Sequence, residues 1–260
     1  MVRAMTGRAR RPRGLIARLV RLVAGGVIAV ALVSVVWVLA YRWLPIPGTA
    51  LMIERALMDG ETVRRDLVAI EDIDRDLVRA VIAAEDARFC IHHGFDLAAI
   101  QDAIADAQEG GRLRGASTIS QQVAKNVFLW DGRGFVRKGL EAYFTLLIET
   151  LWPKRRIMEA YLNVAEWGDG LFGAQAAAGA RFKASAGTLS TRQAALLAAV
   201  LPSPNKWRAD RPGPYVRNRA GVIQRRMAVV RTDGLDACVW KAAGLNGPRI
   251  PDPAAKKTKR

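Results

Sequence analysis

Cysteine and histidine are nearly absent from this chain of 260 residues, which carries two of each. Cys90 and Cys238 stand far apart, with no CxxC and no Cys/His ligand cluster, so a structural zinc site is disfavoured. A disulfide between them is permitted, though not implied, where the domain faces an oxidising compartment. His92 and His93 are adjacent, which leaves a Ser-His-Asp triad little to draw on. Internal repeats are missing, and few stretches alternate apolar with polar residues as half-buried strands do. Acids are also scarce: 24 Asp and Glu face 40 Lys and Arg, for a formal net charge of +16. That excess is unevenly placed. Residues 1–21 hold Arg3, Arg8, Arg10, Arg11, Arg13, Arg18 and Arg21 with no acid, and the C-terminal tail sets Lys256, Lys257, Lys259 and Arg260 against Asp252. The middle is only mildly basic, which weakens a nucleic-acid reading based on charge alone.

What is present is apolar. Half of the chain (51%) is hydrophobic, enough for a packed core and one substantial domain with appendages. From Leu22 to Ala40 no residue is charged. A helix of that length spans about 28 Å, close to the hydrocarbon thickness of a bilayer. Trp37, Tyr41 and Trp43 gather at its far end, where interfacial aromatics belong, and arginines crowd the near end. The positive-inside rule then puts the N-terminus in the cytoplasm and everything after Arg42 outside. The alternatives are a cleaved signal peptide or a buried core helix; against the first, the run exceeds the usual h-region and no A-x-A site closes it, and against the second, it is apolar all round.

Five segments follow from this: a basic cytoplasmic tail over 1–21, a transmembrane signal-anchor over 22–41, a linker over 42–50, one domain over 51–245, and a disordered basic tail over 246–260. The domain reads as mainly α. Asp96 caps a helix reaching Gln108, and Val136–Trp152 and Ile157–Val164 are two more, parted near Pro153. Ser190 and Gln193 form a capping box ahead of an Ala/Leu-rich helix that Pro202 stops. Pro214 sits as the first residue of a helix over Tyr215–Val230.

Two constellations carry chemistry. The first is Glu85-Asp86-x-x-Phe89-x-x-His92-x-Gly94-Phe95-Asp96, reached after the apolar stretch Val81–Ala84. A carboxylate desolvated at a cleft wall gains the raised pKa of a base working near neutral pH. The plain alternative is a helix end with a solvated charge pair. The second runs Gly115-Ala-Ser117-Thr118-Ile-Ser120-Gln121-Gln122-Val-Ala-Lys125-Asn126. Gln121 and Lys125 share a helical face that Ser117 or Thr118 would cap. An N-capped surface helix explains the caps but not the Gln-Gln-x-x-Lys-Asn run.

Both stretches resemble the signature motifs of the peptidoglycan glycosyltransferases, the lysozyme-like helical domain also found in class A penicillin-binding proteins. Three further stretches are similar and keep the family's order: Arg137-Lys138-x-x-Glu141, Arg156-Ile-x-Glu159-x-Tyr161-Leu162-Asn163, and Ala194-Ala195-Leu-Leu-Ala198-x-x-Leu-Pro202-x-Pro204. Within that family, the monofunctional biosynthetic transglycosylases show similar WDGR (130–133) and EWGDGLFG (166–173) stretches.

The resemblance implies a lysozyme-like α domain that polymerises glycan strands from lipid II. Glu85 would take the proton from the 4-hydroxyl of the acceptor N-acetylglucosamine, whose oxygen attacks C1 of N-acetylmuramic acid on the growing chain. Lys125 and Arg133 would hold the donor diphosphate, helped by Ser117, Gln121, Gln122 and Asn126. Glu141 is implied as the second catalytic acid. Asp86, Phe89, His92, Gly94, Thr118, Arg137 and Lys138 complete the implied substrate-binding set, although His92 also reads as a hydrogen-bonded structural histidine. A diphosphate leaves as a stabilised anion, so it needs cations and no general acid. No cofactor is required; some relatives are aided by a divalent cation at the diphosphate. The implied partners are lipid II, the lipid-linked growing chain, the membrane, and proteins of the division or elongation machinery, with no nucleic acid.

Two departures are visible. Arg181-Phe182 stands where the family usually shows an aromatic pair, and Gln193 replaces a usual Glu. Other signals are discounted. Gly168-Asp-Gly170-Leu-Phe-Gly173 satisfies G-x-G-x-x-G but follows a helix, and Ser203-Pro-Asn-Lys206 lacks the K-T-G and the chain length of a transpeptidase. The competing readings are a lytic transglycosylase or muramidase, which has no diphosphate to bind, and an inactive cell-wall scaffold. Retention of both Glu85 and Glu141 opposes the scaffold.

Overall fold

The computed structural model describes residues 13–58, 60, 62–108, 117–132 and 134–240. The chain divides into two units, residues 1–43 and 44–260. The first unit contains one described helix, α1 (Arg13–Trp43), which starts nine residues before the uncharged run and passes through it without a break. Its segment Ile16–Trp43 is long and apolar enough to cross a membrane, and Val23, Val27, Val30 and Val33 are exposed on it. The expected tail over 246–260 and most of the basic tail over 1–21 lie outside the described residues.

The second unit is helical. Its elements in chain order are α2 (Ala50–Leu57), β1 (Arg64–Arg65), α3 (Arg75–Glu85), α4 (Leu97–Gln108), α5 (Ile119–Phe128), α6 (Phe135–Leu151), α7 (Lys154–Val164), β2 (Leu171–Phe172), α8 (Ala174–Phe182), α9 (Thr191–Val200), α10 (Pro214–Thr232) and α11 (Ala237–Trp240). The two strands pair in parallel over two residues each, Arg64 opposite Leu171 and Arg65 opposite Phe172. They form the only sheet among the described residues.

The core follows from the helix faces. Leu77, Val78, Val81 and Ile82 of α3 are buried against α9 and α10. The last seven residues of α9, Ala194–Val200, are all buried, and their alanines let neighbouring backbones approach closely. The capping box that starts α9 is formed: Ser190 Oγ accepts from the Gln193 amide while Gln193 Oε1 accepts from the Ser190 amide at 2.9 Å. Gln193 therefore performs the Glu's capping task without the charge. Pro214 opens α10 as the first helical residue, and Val216, Ala220, Ile223, Met227 and Val230 form its buried stripe. On the other side α5 packs on α6 and α7, with Phe128 stacked on Phe144 at 4.7 Å between centroids. Pro153 stands just outside the first turn of α7, which begins three residues before the expected Ile157.

Polar side chains fasten the irregular segments. Asn163 at the end of α7 clasps Val68, accepting from its amide at 3.0 Å and donating to its carbonyl at 2.9 Å, so one side chain replaces a strand partner. Cys90 and Cys238 form a disulfide that ties the turn after α3 to α11 across 148 residues of sequence. Arg79 reinforces the same junction by pairing with Asp236 at 3.0 Å.

Candidate active site

α3 ends at Glu85, and α5 begins at Ile119 with its first turn facing that end. The start of α5 is fixed by a second capping box, in which Thr118 Oγ1 accepts from the Gln121 amide and Gln121 Oε1 accepts from the Thr118 amide at 3.0 Å. Thr118 also donates to the Gly94 carbonyl at 2.6 Å. Asp86 is buried beneath this turn. It accepts from the Ile119 amide at 3.0 Å, at the positive end of the α5 dipole, and from His92 Nε2 at 2.9 Å. The Gly94 amide donates to His92 Nδ1 at 3.1 Å, so Nδ1 is the acceptor and Nε2 carries the proton given to Asp86. Gly94 sits at φ +92°, and a Cβ there would meet Thr145 Cγ2 at 2.8 Å.

Asp86, Phe89, His92, Gly94 and Thr118 thus lie behind the cleft wall and hold the end of α3 against the start of α5. All but Gly94 are buried side chains engaged with protein, which leaves them no surface for a ligand. For Asp86, Phe89, Gly94 and Thr118 this differs from the substrate-contacting place implied by the motifs, whereas for His92 it fits the reading as a hydrogen-bonded structural histidine. Beside them Lys154 reaches Glu149 at 2.8 Å and lies 4.5 Å from the Phe89 ring centre, and Ser120 donates to Glu149. Burial lowers the Lys154 pKa, and the charges of Glu149 and Asp86 act against that shift.

In front of this wall is a cleft of about 870 Å³, lined by Glu85, Ser117, Gln121, Gln122, Lys125 and Glu141, with Leu201, Pro202 and residues of α10 opposite. Six residues from three sequence motifs therefore share one cavity. Glu85 stands at its wall. Desolvation raises its carboxyl above the ordinary glutamate value; a hydrogen bond from Gln122 Nε2 (3.0 Å) and the charge of Arg219 pull it down, and Asp86 pushes it up. Glu141 is buried and held by Arg137 at 3.2 Å and by Lys138, one and nearly one helical turn away. Arg137 and Lys138 serve Glu141 and do not line the cavity. Asn126 faces a small neighbouring pocket with Lys125 and Trp130. Arg133 lies outside the described residues.

Among the described residues no carboxylate lies within ion-pair distance of Lys125 or Arg226, both of which line the cleft. The motif reading missed the α10 wall: Tyr215, Asn218, Arg219, Val222 and Arg226. Its signal was available, because Tyr215, Arg219, Val222 and Arg226 recur at helical spacing on the face that flanks the apolar stripe, each one residue before a buried position. The cavity thus combines two carboxylates, Glu85 and the ion-paired Glu141, with three cations, which suits removal of a hydroxyl proton beside an anionic group.

A profile of the family described as Transglycosylase matches residues 52–228. A biosynthetic peptidoglycan transglycosylase of Rhodospirillum centenum is 53% identical over 229 residues, covering 88% of this chain and 99% of the relative. Similarly named proteins of Pseudomonas aeruginosa and Pseudomonas putida are 60% and 58% identical over 199 and 200 residues, each covering 75% of this chain and 86% and 85% of the relative.

Proposed function

The chain belongs to the transglycosylase family and is a glycosyltransferase that polymerises peptidoglycan glycan strands; from that premise we propose that it draws on lipid II and acts without cross-linking. Glu85 takes the proton of the acceptor 4-hydroxyl as that oxygen bonds to C1 of the donor N-acetylmuramic acid. The C1–oxygen bond to undecaprenyl diphosphate breaks in the same step, and its electron pair leaves on the diphosphate. An α-linked donor gives a β-1,4 product by this single inverting displacement. The supporting observation is the shared cleft: a desolvated Glu85 in one cavity with Lys125, which has no carboxylate partner among the described residues.

Lys125, Arg133 and the cations of α10 supply positive charge for the leaving diphosphate. Glu141 is already held by Arg137 and Lys138, so a divalent cation, where it helps, would bind mainly to diphosphate oxygens. α1 anchors the protein in the membrane with the arginine-rich end cytoplasmic and the second unit outside. The Cys90–Cys238 disulfide supports that orientation, since such bonds persist in oxidising compartments. Trp130, Phe135 and Val136 are exposed beside the cleft-bearing helices and would dip into the outer leaflet, with the polyprenyl tail alongside. Protein partners of the division or elongation machinery are proposed on the family resemblance alone.

Purified full-length protein incubated with labelled lipid II in detergent tests this reading. It gives long glycan strands on a gel if the proposal holds. Release of short fragments from existing strands, with no growth from lipid II, supports the lytic alternative.

A further inference from the structure

Tyr161 is a fully buried residue of α7 whose hydroxyl points at the catalytic wall instead of into the apolar core. It donates to Gln122 Oε1 at 3.3 Å, and the same carboxamide donates through Nε2 to Glu85 Oε2 at 3.0 Å. The two contacts agree on one orientation of the amide. An ionised carboxylate can only accept, so it requires the NH₂ end of Gln122; a neutral phenol beside the other end supplies a donor for the oxygen. We propose that Tyr161 is a positioning residue for glycosyl transfer, acting through Gln122 to hold Glu85 ready to accept the acceptor's proton. This rests on Glu85 being the base.

The physical argument concerns the flipped amide. With its oxygen toward Glu85, Gln122 would accept from a protonated carboxyl and so favour the form that cannot act as a base. That flip would turn the NH₂ toward Tyr161, whose hydroxyl would then have to accept, leaving its own buried proton without an acceptor among the described residues. The phenol therefore disfavours the inactive arrangement without touching substrate. Burial and the nearby charges of Glu85 and Asp86 push the Tyr161 pKa well above its usual value, so it remains a donor throughout the working range.

The other groups around Glu85 are fixed in kind. Asp86 adjoins it on the chain, Arg219 of α10 is 3.7 Å away, and Lys125 of α5, Glu141 of α6 and Arg226 of α10 share its cleft. α9, which also packs on α3, carries one charged residue, Arg192, exposed in its first turn.

The test is the pH profile of kcat/KM for Tyr161→Phe in the full-length protein with lipid II, alongside Gln122→Ala and the double variant. Tyr161→Phe keeps the buried ring and should keep the fold, checked by thermal unfolding. Its acid limb should move to higher pH by about 0.3–1 unit, the size of one modest hydrogen-bond change, with little change in KM. In the Gln122→Ala background the tyrosine substitution should add no further shift. An unmoved limb in Tyr161→Phe, or a full shift persisting without Gln122, overturns the proposal. Glu85→Gln separates the two readings: if it is inactive while Tyr161→Phe leaves the limb in place, only the positioning role falls.

Discussion

Arg219 Nη2 lies 3.7 Å from Glu85 Oε1, joining α10 to the last residue of α3 across the mouth of the cleft. The two residues are 134 positions apart, and their meeting sets much of the electrostatics of the site. Desolvation raises the Glu85 pKa, while Arg219 and Gln122 limit that rise. A base must be partly desolvated to hold a proton and partly stabilised to be free of one at working pH.

Arg219→Ala removes a counter-charge, so the Glu85 pKa should climb further. The deprotonated fraction then falls at a given acid pH, and the acid limb of the pH–rate profile moves up by about 0.5–1 unit. Arg219→Lys should recover part of the shift. Steady-state kinetics across pH checks both variants.

Lys125→Ala should weaken donor engagement by about 10–100-fold in kcat/KM, the scale of one charge-assisted contact. Among the described residues it has no carboxylate partner to orphan, so its stability should hardly change. A loss of folding in place of a loss of rate would show that Lys125 is structural.

Gly94→Ala places a methyl group where Thr145 Cγ2 stands 2.8 Å away, on a backbone at φ +92° that side chains rarely adopt. Strain and crowding together should cost about 2–4 kcal/mol. A drop of several degrees in Tm would register it, with activity falling because Gly94 supports Thr118 and His92.

Reduction, or Cys90→Ala with Cys238→Ala, should destabilise the domain by about 2–4 kcal/mol through the long loop the bond closes. Thermal unfolding with and without reductant measures this. Accessible free thiols at both positions in protein isolated from intact cells without reduction would contradict the pairing and the outward orientation it supports.

Local features were legible and distant ones were not. Thr118 with Gln121 and Ser190 with Gln193 declare their helices within four residues, and Pro153 and Pro214 mark starts by their fixed backbone. The motif order brought Glu85, Gln122, Lys125 and Glu141 to attention together, and they line one cleft. Motif reading does not separate a cleft-facing residue from its buried support, so Asp86 falls among the implied substrate contacts although it backs them from behind, whereas the structural reading of His92 fits its bonds to Asp86 and Gly94. The Cys90–Cys238 bond and the Arg219–Glu85 pair depend on chain segments that meet only in the folded state. Neither leaves a trace in local spacing.

The measurement closest to the central claim is polymerisation of labelled lipid II by purified full-length protein carrying Glu85→Gln, beside the wild type, with thermal unfolding to verify the fold. The account predicts a folded variant whose strand synthesis drops by about 10²–10⁴-fold, the contribution of a positioned base. Strand synthesis by Glu85→Gln within a few-fold of wild type would contradict it.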